Sequence, residues 1–127
     1  MTRLPTKKRK KTNKYRAIKS KVNGITFDSI KEGKKYRELL LKQRSGSIRD
    51  LQIQVPLTLQ GKFKTREGKS IRAIKYIADF VYYDNSLKKI VIFDTKGMET
   101  QVFKIKEKML LMILQDKKYD DYIFMKG

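Results

Sequence analysis

Between Ile30 and Arg44 the apolar positions fall at helical spacing. Glu32, Tyr36, Leu39, Leu40 and Gln43 lie on one stripe at i, i+4, i+7, i+8 and i+11. Ser29 and Glu32 in front of it form the Ser-x-x-Glu pattern of a capping box, and Ser45-Gly46 closes the run. The spacing predicts a helix from Ile30 to about Arg44. The period then changes to two. Leu51, Ile53, Val55, Leu57 and Leu59 alternate with Gln52, Gln54 and Thr58, which predicts a strand over Arg49 to Leu59 with the five apolar residues on one face. Pro56 assigns that strand to a sheet edge.

Gly61 to Ser70 reads as a polar, basic loop. Ile71 to Tyr83 and Lys89 to Lys96 are rich in Ile, Val, Tyr and Phe and are separated by Asp84-Asn85-Ser86, the pattern of an antiparallel hairpin. Val91-Ile92-Phe93 is apolar on both faces, as a central strand requires. Helical spacing returns from Thr100 to about Gln115, with Phe103, Met109 or Leu110, Ile113 and Leu114 on the apolar side. Tyr119 to Met125 closes the chain as a strand, and Val22 to Phe27 is a short turn or strand before the first helix. The order helix, three strands, helix, strand predicts an α+β (α/β) domain, a mixed sheet flanked by helices.

Charge changes this picture at one end. Lys and Arg number 32 against 13 Asp and Glu among 127 residues, a formal charge of +19. Ten of the cations, including Lys7, Lys8, Arg9, Lys10 and Lys11, lie in Met1 to Lys21, which contains no acid. Residues 1–21 are therefore expected to be a disordered basic arm and residues 22–127 the folded domain. A solubilising tail is the bland use of such an arm, and a phosphate-binding extension the functional one. The surplus points to a polyanion, with nucleic acid ahead of an anionic membrane. No run of residues approaches a spanning helix, and Met1–Lys21 has no apolar core of a secretory signal, so a cytoplasmic address is expected.

The chain has no cysteine and no histidine. That excludes disulfides, cysteine-bound zinc, Ser-His-Asp catalysis and histidine-dependent nuclease sites. Chemistry, if present, rests on carboxylates, lysines, tyrosines and a hard metal. The hairpin supplies a candidate. If its loop is Asn85 to Lys88, Asp84 faces Lys89, and counting outward sets Asp79 opposite Asp94. Directly opposed carboxylates repel, and a cation between them or a proton on one relieves this. Mg²⁺ favours such oxygen ligands. Lys96 projects from the face of Asp94, about 6.6 Å further along the strand. The Thr95 carbonyl is free to join a metal shell. Glu32, in the first helical turn, is either a cap for Ser29 or a further ligand. Each has a bland alternative: a salt bridge for Asp79, a solvated strand end for Lys96. Asp94, ending a buried apolar run, is harder to explain that way.

Phe27-Asp28-Ser29-x-x-Glu32, Tyr76-Ile77-Ala78-Asp79-Phe80 and Asp94-Thr95-Lys96-Gly97, with Phe103-Lys104 following, resemble the PD-(D/E)XK nuclease superfamily. More narrowly they are similar to phage and prophage proteins assigned to nucleases of the Holliday-junction-resolvase type. The likeness spans about Phe27 to Met125. Ala78 stands where the motif has proline, and Asp94 where glutamate is commoner. The resemblance implies a restriction-endonuclease-like αβββαβ core. It also implies a catalytic set of Glu32, Asp79, Asp94 and Lys96, and Mg²⁺ or Mn²⁺ held by Asp79, Asp94, Thr95 and Glu32.

The expected activity is metal-dependent hydrolysis of DNA phosphodiesters, with a branched or four-way junction as substrate. Lys104 and Lys108, one helical turn apart, suit a neighbouring phosphate as well as a solvated face. Symmetric cutting of a junction needs two sites, hence a homodimer; Met109, Leu111 and Met112 are a candidate surface, with core packing the expected use for most of that side. Flap or nonspecific cutting, or a noncatalytic basic nucleic-acid-binding protein, are the alternatives.

Overall fold

The computed structural model describes residues 19–95 and 97–127. Lys96 and the cations Lys7, Lys8, Arg9, Lys10 and Lys11 lie outside the described residues. The arm expected over 1–21 overlaps the fold at its end. Ser20–Val22 forms β1, which pairs antiparallel with β2 (Ile25–Phe27). Asn23 and Gly24 turn between them with φ of 56° and 78°, the doubly left-handed pair that suits a two-residue hairpin.

Helix α1 runs Ile30–Arg44. Ser29 caps it, its hydroxyl accepting the Glu32 N–H at 3.0 Å. Glu32, Tyr36 and Leu39 of the predicted stripe are buried, and Gln43 turns inward to accept the Leu51 N–H at 2.9 Å. Gly33 is buried under β1, where a Cβ would collide with Ser20 Oγ.

The main sheet is mixed. Its order is β3 (Ile48–Gln60), β6 (Ile74–Asp84), β7 (Lys89–Asp94) and β8 (Tyr122–Lys126). β3–β6 and β6–β7 are antiparallel and β7–β8 parallel. β3 is an edge strand, where Pro56 is tolerated, and β7 is internal. Helix α2 (Gln101–Ile113), capped by Thr100, makes the crossover from β7 to β8. A short 3-10 turn at Lys117–Tyr119 follows it. Apart from two small hairpins, the order is the predicted helix, three strands, helix, strand.

The segment expected to be a loop over Gly61 to Ser70 is instead part of a hairpin. β4 (Phe63–Lys64) pairs antiparallel with β5 (Ser70–Ile71), so the strand expected from Ile71 onward is broken before β6.

Two apolar clusters cover the two faces of the sheet. The first joins Tyr36 and Leu39 of α1 to Phe80, Tyr82, Val91 and Phe93. The second joins Leu110 of α2, with Phe103 and Leu114 against it, to Tyr76, Ala78 and Ile92. Full burial of a side chain such as Phe80 contributes about 1.5–3 kcal/mol.

The five alternating residues of β3 do not share one cluster, contrary to their period. Leu51 and Ile53 pack against the α1 cluster, Leu57 and Leu59 against the α2 cluster. The exchange occurs at Gln54, whose φ is 49°. Its neighbour β6 exchanges clusters at the same level, between Ala78 and Phe80, and Asp79 sits at that point. The ladder passes from Ile53↔Phe80 to Val55↔Ala78 with no Gln54–Asp79 pair.

Candidate metal and nucleic-acid site

The β6–β7 turn sets the first two site residues. Asp84 pairs with Lys89, Tyr83 with Ile90 and Phe80 with Phe93, the register predicted by counting from the turn. One step further, the Asp79 N–H donates to Asp94 Oδ1 at 2.8 Å. Asp79 Oδ2 accepts from the Thr95 N–H at 2.9 Å and from Thr95 Oγ1 at 2.8 Å. The Tyr76 hydroxyl donates to Asp94 Oδ2. The two aspartates are thus cross-tied where β6 and β7 part.

Asp94 is 6% exposed and Glu32 5%. The Glu32 carboxylate does not remain at the helix cap. It turns into the sheet and accepts from Gln54 Nε2 at 2.8 Å. Asp79 lies close enough for its charge to act on that carboxyl. The left-handed turn at Gln54, which costs on the order of 1 kcal/mol or more, carries that amide to the cluster.

Burial, then the charges of Asp79, Asp28 and Asp94, push the Glu32 carboxyl up to about 7. Burial also pushes Asp94 up to about 6. The Asp79 N–H and Lys126 oppose that rise, and Glu107 adds to it. Lys126 stands beside Asp94 in the parallel register and bridges Glu99 and Glu107 at 2.9 Å each, tying β8 to α2 and to the loop before it.

A cavity of about 190 Å³ opens at this edge. Asp79, Asp94 and Thr95 line it, with Gly97, Met98 and Glu99 of the following loop. Glu32 joins the cluster through Asp79 and Gln54. Among the described residues no group of three or more acids is drawn tightly enough to form a ready-made cation cage. The donor set nevertheless suits a hard cation: carboxylate oxygens from three elements, held by fixed protein donors.

The structure therefore brings Glu32, Asp79, Asp94 and Thr95 together. Lys104 and Lys108 are exposed on α2. Sequence reasoning missed Gln54, Tyr76, Glu107 and Lys126. Gln54 reads as one more polar residue of an alternating strand, and Tyr76 as core. No local pattern marks Gln54 as the partner of a carboxylate twenty-two residues away, or Tyr76 of one eighteen residues away.

Among the described residues, an α+β fold whose antiparallel hairpin sets two aspartates side by side, with a glutamate from the preceding helix behind them, builds a carboxylate-rich cleft at one end of the sheet. Over residues 12–124 the chain matches the family described as protein of unknown function, DUF1064, and it belongs to that family. No curated protein and no solved structure gives a significant match.

Proposed function

We propose that this protein is a divalent-metal-dependent endonuclease that hydrolyses DNA phosphodiesters, with branched or four-way junctions as its preferred substrate. The observation that carries this reading is the convergence of Asp79 and Asp94, from adjacent strands, with the buried Glu32. The resemblance of the same residues to the PD-(D/E)XK pattern supports it, as does the charge of +19.

In this reading Asp79, Asp94 and the Thr95 carbonyl hold Mg²⁺ or Mn²⁺. When bound there, such an ion would supply Lewis-acid stabilisation of the phosphate and make a nearby water more acidic. Thr95 and the Asp79 N–H keep the two carboxylates oriented. Tyr76 fixes Asp94 Oδ2 and Gln54 fixes Glu32. Glu32, held by Gln54 beside the two aspartates, would orient a water or contribute to a second ion. Lys96 would offset charge on the phosphate and orient the attacking water, as the resemblance implies. Lys104 and Lys108 would take a flanking phosphate. Two cuts in one junction require two copies. Leu111 and Met112, exposed on α2 with Val102 and Ile105, are the surface we assign to that contact, while Met109 is half-buried.

The test is a panel of labelled four-way junction, flap, single-stranded and linear DNA, each incubated with Mg²⁺, Mn²⁺ or EDTA. Metal-dependent cutting with the junction preferred supports the proposal. Equal cutting of all four would support a nonspecific nuclease, and binding without cutting under any divalent ion a noncatalytic binder.

A further inference from the structure

The β4–β5 ribbon has no role in the site described above, and its placement is informative. β7 and β8 end at Asp94 and Lys126, level with Asp79. β3 and β6 continue past that level, paired through Thr58↔Lys75 and Gln60↔Ile74, and lead into Phe63↔Ile71 and Lys64↔Ser70. The ribbon therefore leaves the sheet at the end that carries the carboxylates. Asp79 and Ile71 are eight residues apart along β6 and its lead-in, a reach of at most about 26 Å.

The composition of this segment is one-sided. Gly61 to Lys75 holds Lys62, Lys64, Arg66, Lys69, Arg72 and Lys75 against Glu67 alone. All six cations are exposed, and among the described residues none is in an ion pair. Alternation along the ribbon places Lys62, Lys64 and Arg72 on one face and Phe63 with Ile71 on the other. The tip is ordered by its own bonds. Thr65 N–H donates to the Lys69 carbonyl at 2.9 Å, Lys69 N–H to Thr65 Oγ1 at 3.1 Å, and Gly68 turns with φ of 89°. A pre-shaped ribbon loses little entropy on binding.

We propose that the β4–β5 ribbon is a duplex-gripping arm. Its Lys62–Lys64–Arg72 face binds backbone phosphates of double-stranded DNA several base pairs from the phosphate at the carboxylates. A two-stranded ribbon fits the major groove of B-form DNA, and phosphate contacts of this kind set register without reading sequence. This rests on the DNA reading above for its choice of ligand. An anionic membrane would offer the same charge, but it supplies no reason for the ribbon to issue from the carboxylate end.

The test uses the full chain in EDTA, so binding is scored without cutting. Affinity for a labelled linear duplex and a four-way junction is measured across a salt series. The variant is Lys62→Gln/Lys64→Gln/Arg72→Gln. The control is Arg44→Gln/Lys88→Gln/Lys117→Gln, three exposed cations at the other end of the sheet. The ribbon variant should bind about tenfold or more weakly, and its log–log salt slope should fall by about 2–3, near 0.9 per lost phosphate contact. The control should stay within about threefold. Equal losses in both variants, or a ribbon variant that binds like the parent, would overturn the proposal. So would a ribbon effect seen with vesicles of phosphatidylserine but not with DNA. Cutting is scored separately with Mg²⁺. A parent that binds through the ribbon but never cuts ends the nuclease reading and leaves the arm standing, and a parent that cuts while the ribbon variant binds normally does the reverse.

Discussion

Asp79 and Asp94 are held by each other's strands: the Asp79 N–H donates to Asp94 Oδ1, while the Asp79 carboxylate accepts twice from Thr95, the residue after Asp94. Neither side chain can swing away without breaking a bond of its neighbour. Asp94 is thereby kept in a buried position that disfavours its charged form, a cost that a proton or a bound cation would offset.

The sign of the pH dependence follows. Asp94 at about 6 and Glu32 at about 7 hold protons more tightly folded than unfolded. Their contribution to stability is complete below the ordinary carboxylate range and is lost as pH rises through those values. Metal-free protein should therefore melt lower near neutral pH than at mildly acid pH. Mg²⁺ should raise the melting temperature more at the higher pH, where the carboxylates are ionised. Thermal melts with EDTA and with Mg²⁺ across this range check it, and a flat metal-free profile would contradict it.

Gln54 gives a backbone prediction. Gln54→Ala removes the amide that partners Glu32 and keeps the strain of φ at 49°. Gln54→Gly removes the same amide but relieves the strain. The glycine variant should be the more stable of the two by about 1 kcal/mol in urea unfolding.

Tyr76→Phe should destabilise the chain by about 1–3 kcal/mol, because Asp94 Oδ2 loses its buried donor. The loss should be larger where Asp94 is ionised than where it is protonated, since bonds to charged groups are the stronger ones. Urea titrations on either side of about 6 measure the difference.

Gly33 offers a packing test. In most exposed helices a Gly→Ala change stabilises by about 1 kcal/mol. Here the added methyl meets Ser20 Oγ of β1, so Gly33→Ala should destabilise. Adding Ser20→Ala removes that oxygen and should restore part of the loss, as melting of the single and double variants will show.

Much of this was legible in the sequence where the signal is local. Ser29, the stripe through Leu39 and Ser45 fixed the bounds of α1, and a four-residue turn after Asp84 was enough to bring Asp79 level with Asp94. What escaped depends on non-local or single-residue geometry. The pattern Ile53-Gln54-Val55 is a regular alternation, and nothing in it announces a left-handed residue that moves its flanks to different clusters. The inward turn of Glu32 is decided by Gln54, twenty-two residues away, against a capping box that was equally compatible with the pattern. Ser20 and Lys21 carry the composition of the basic arm, yet pairing with Thr26 and Phe27 draws them into a hairpin. The basic run after Gly61 hid two short strands for the same reason: charge masks alternation.

The most direct test of the account is cleavage of a labelled four-way junction by the parent and by Asp94→Asn, with binding measured in parallel. Cutting by the parent is expected to require Mg²⁺ or Mn²⁺, and to fall about a hundredfold or more in the variant with affinity for the junction nearly unchanged. Cutting by Asp94→Asn at the parent's rate, or none by either protein with either ion, would contradict it.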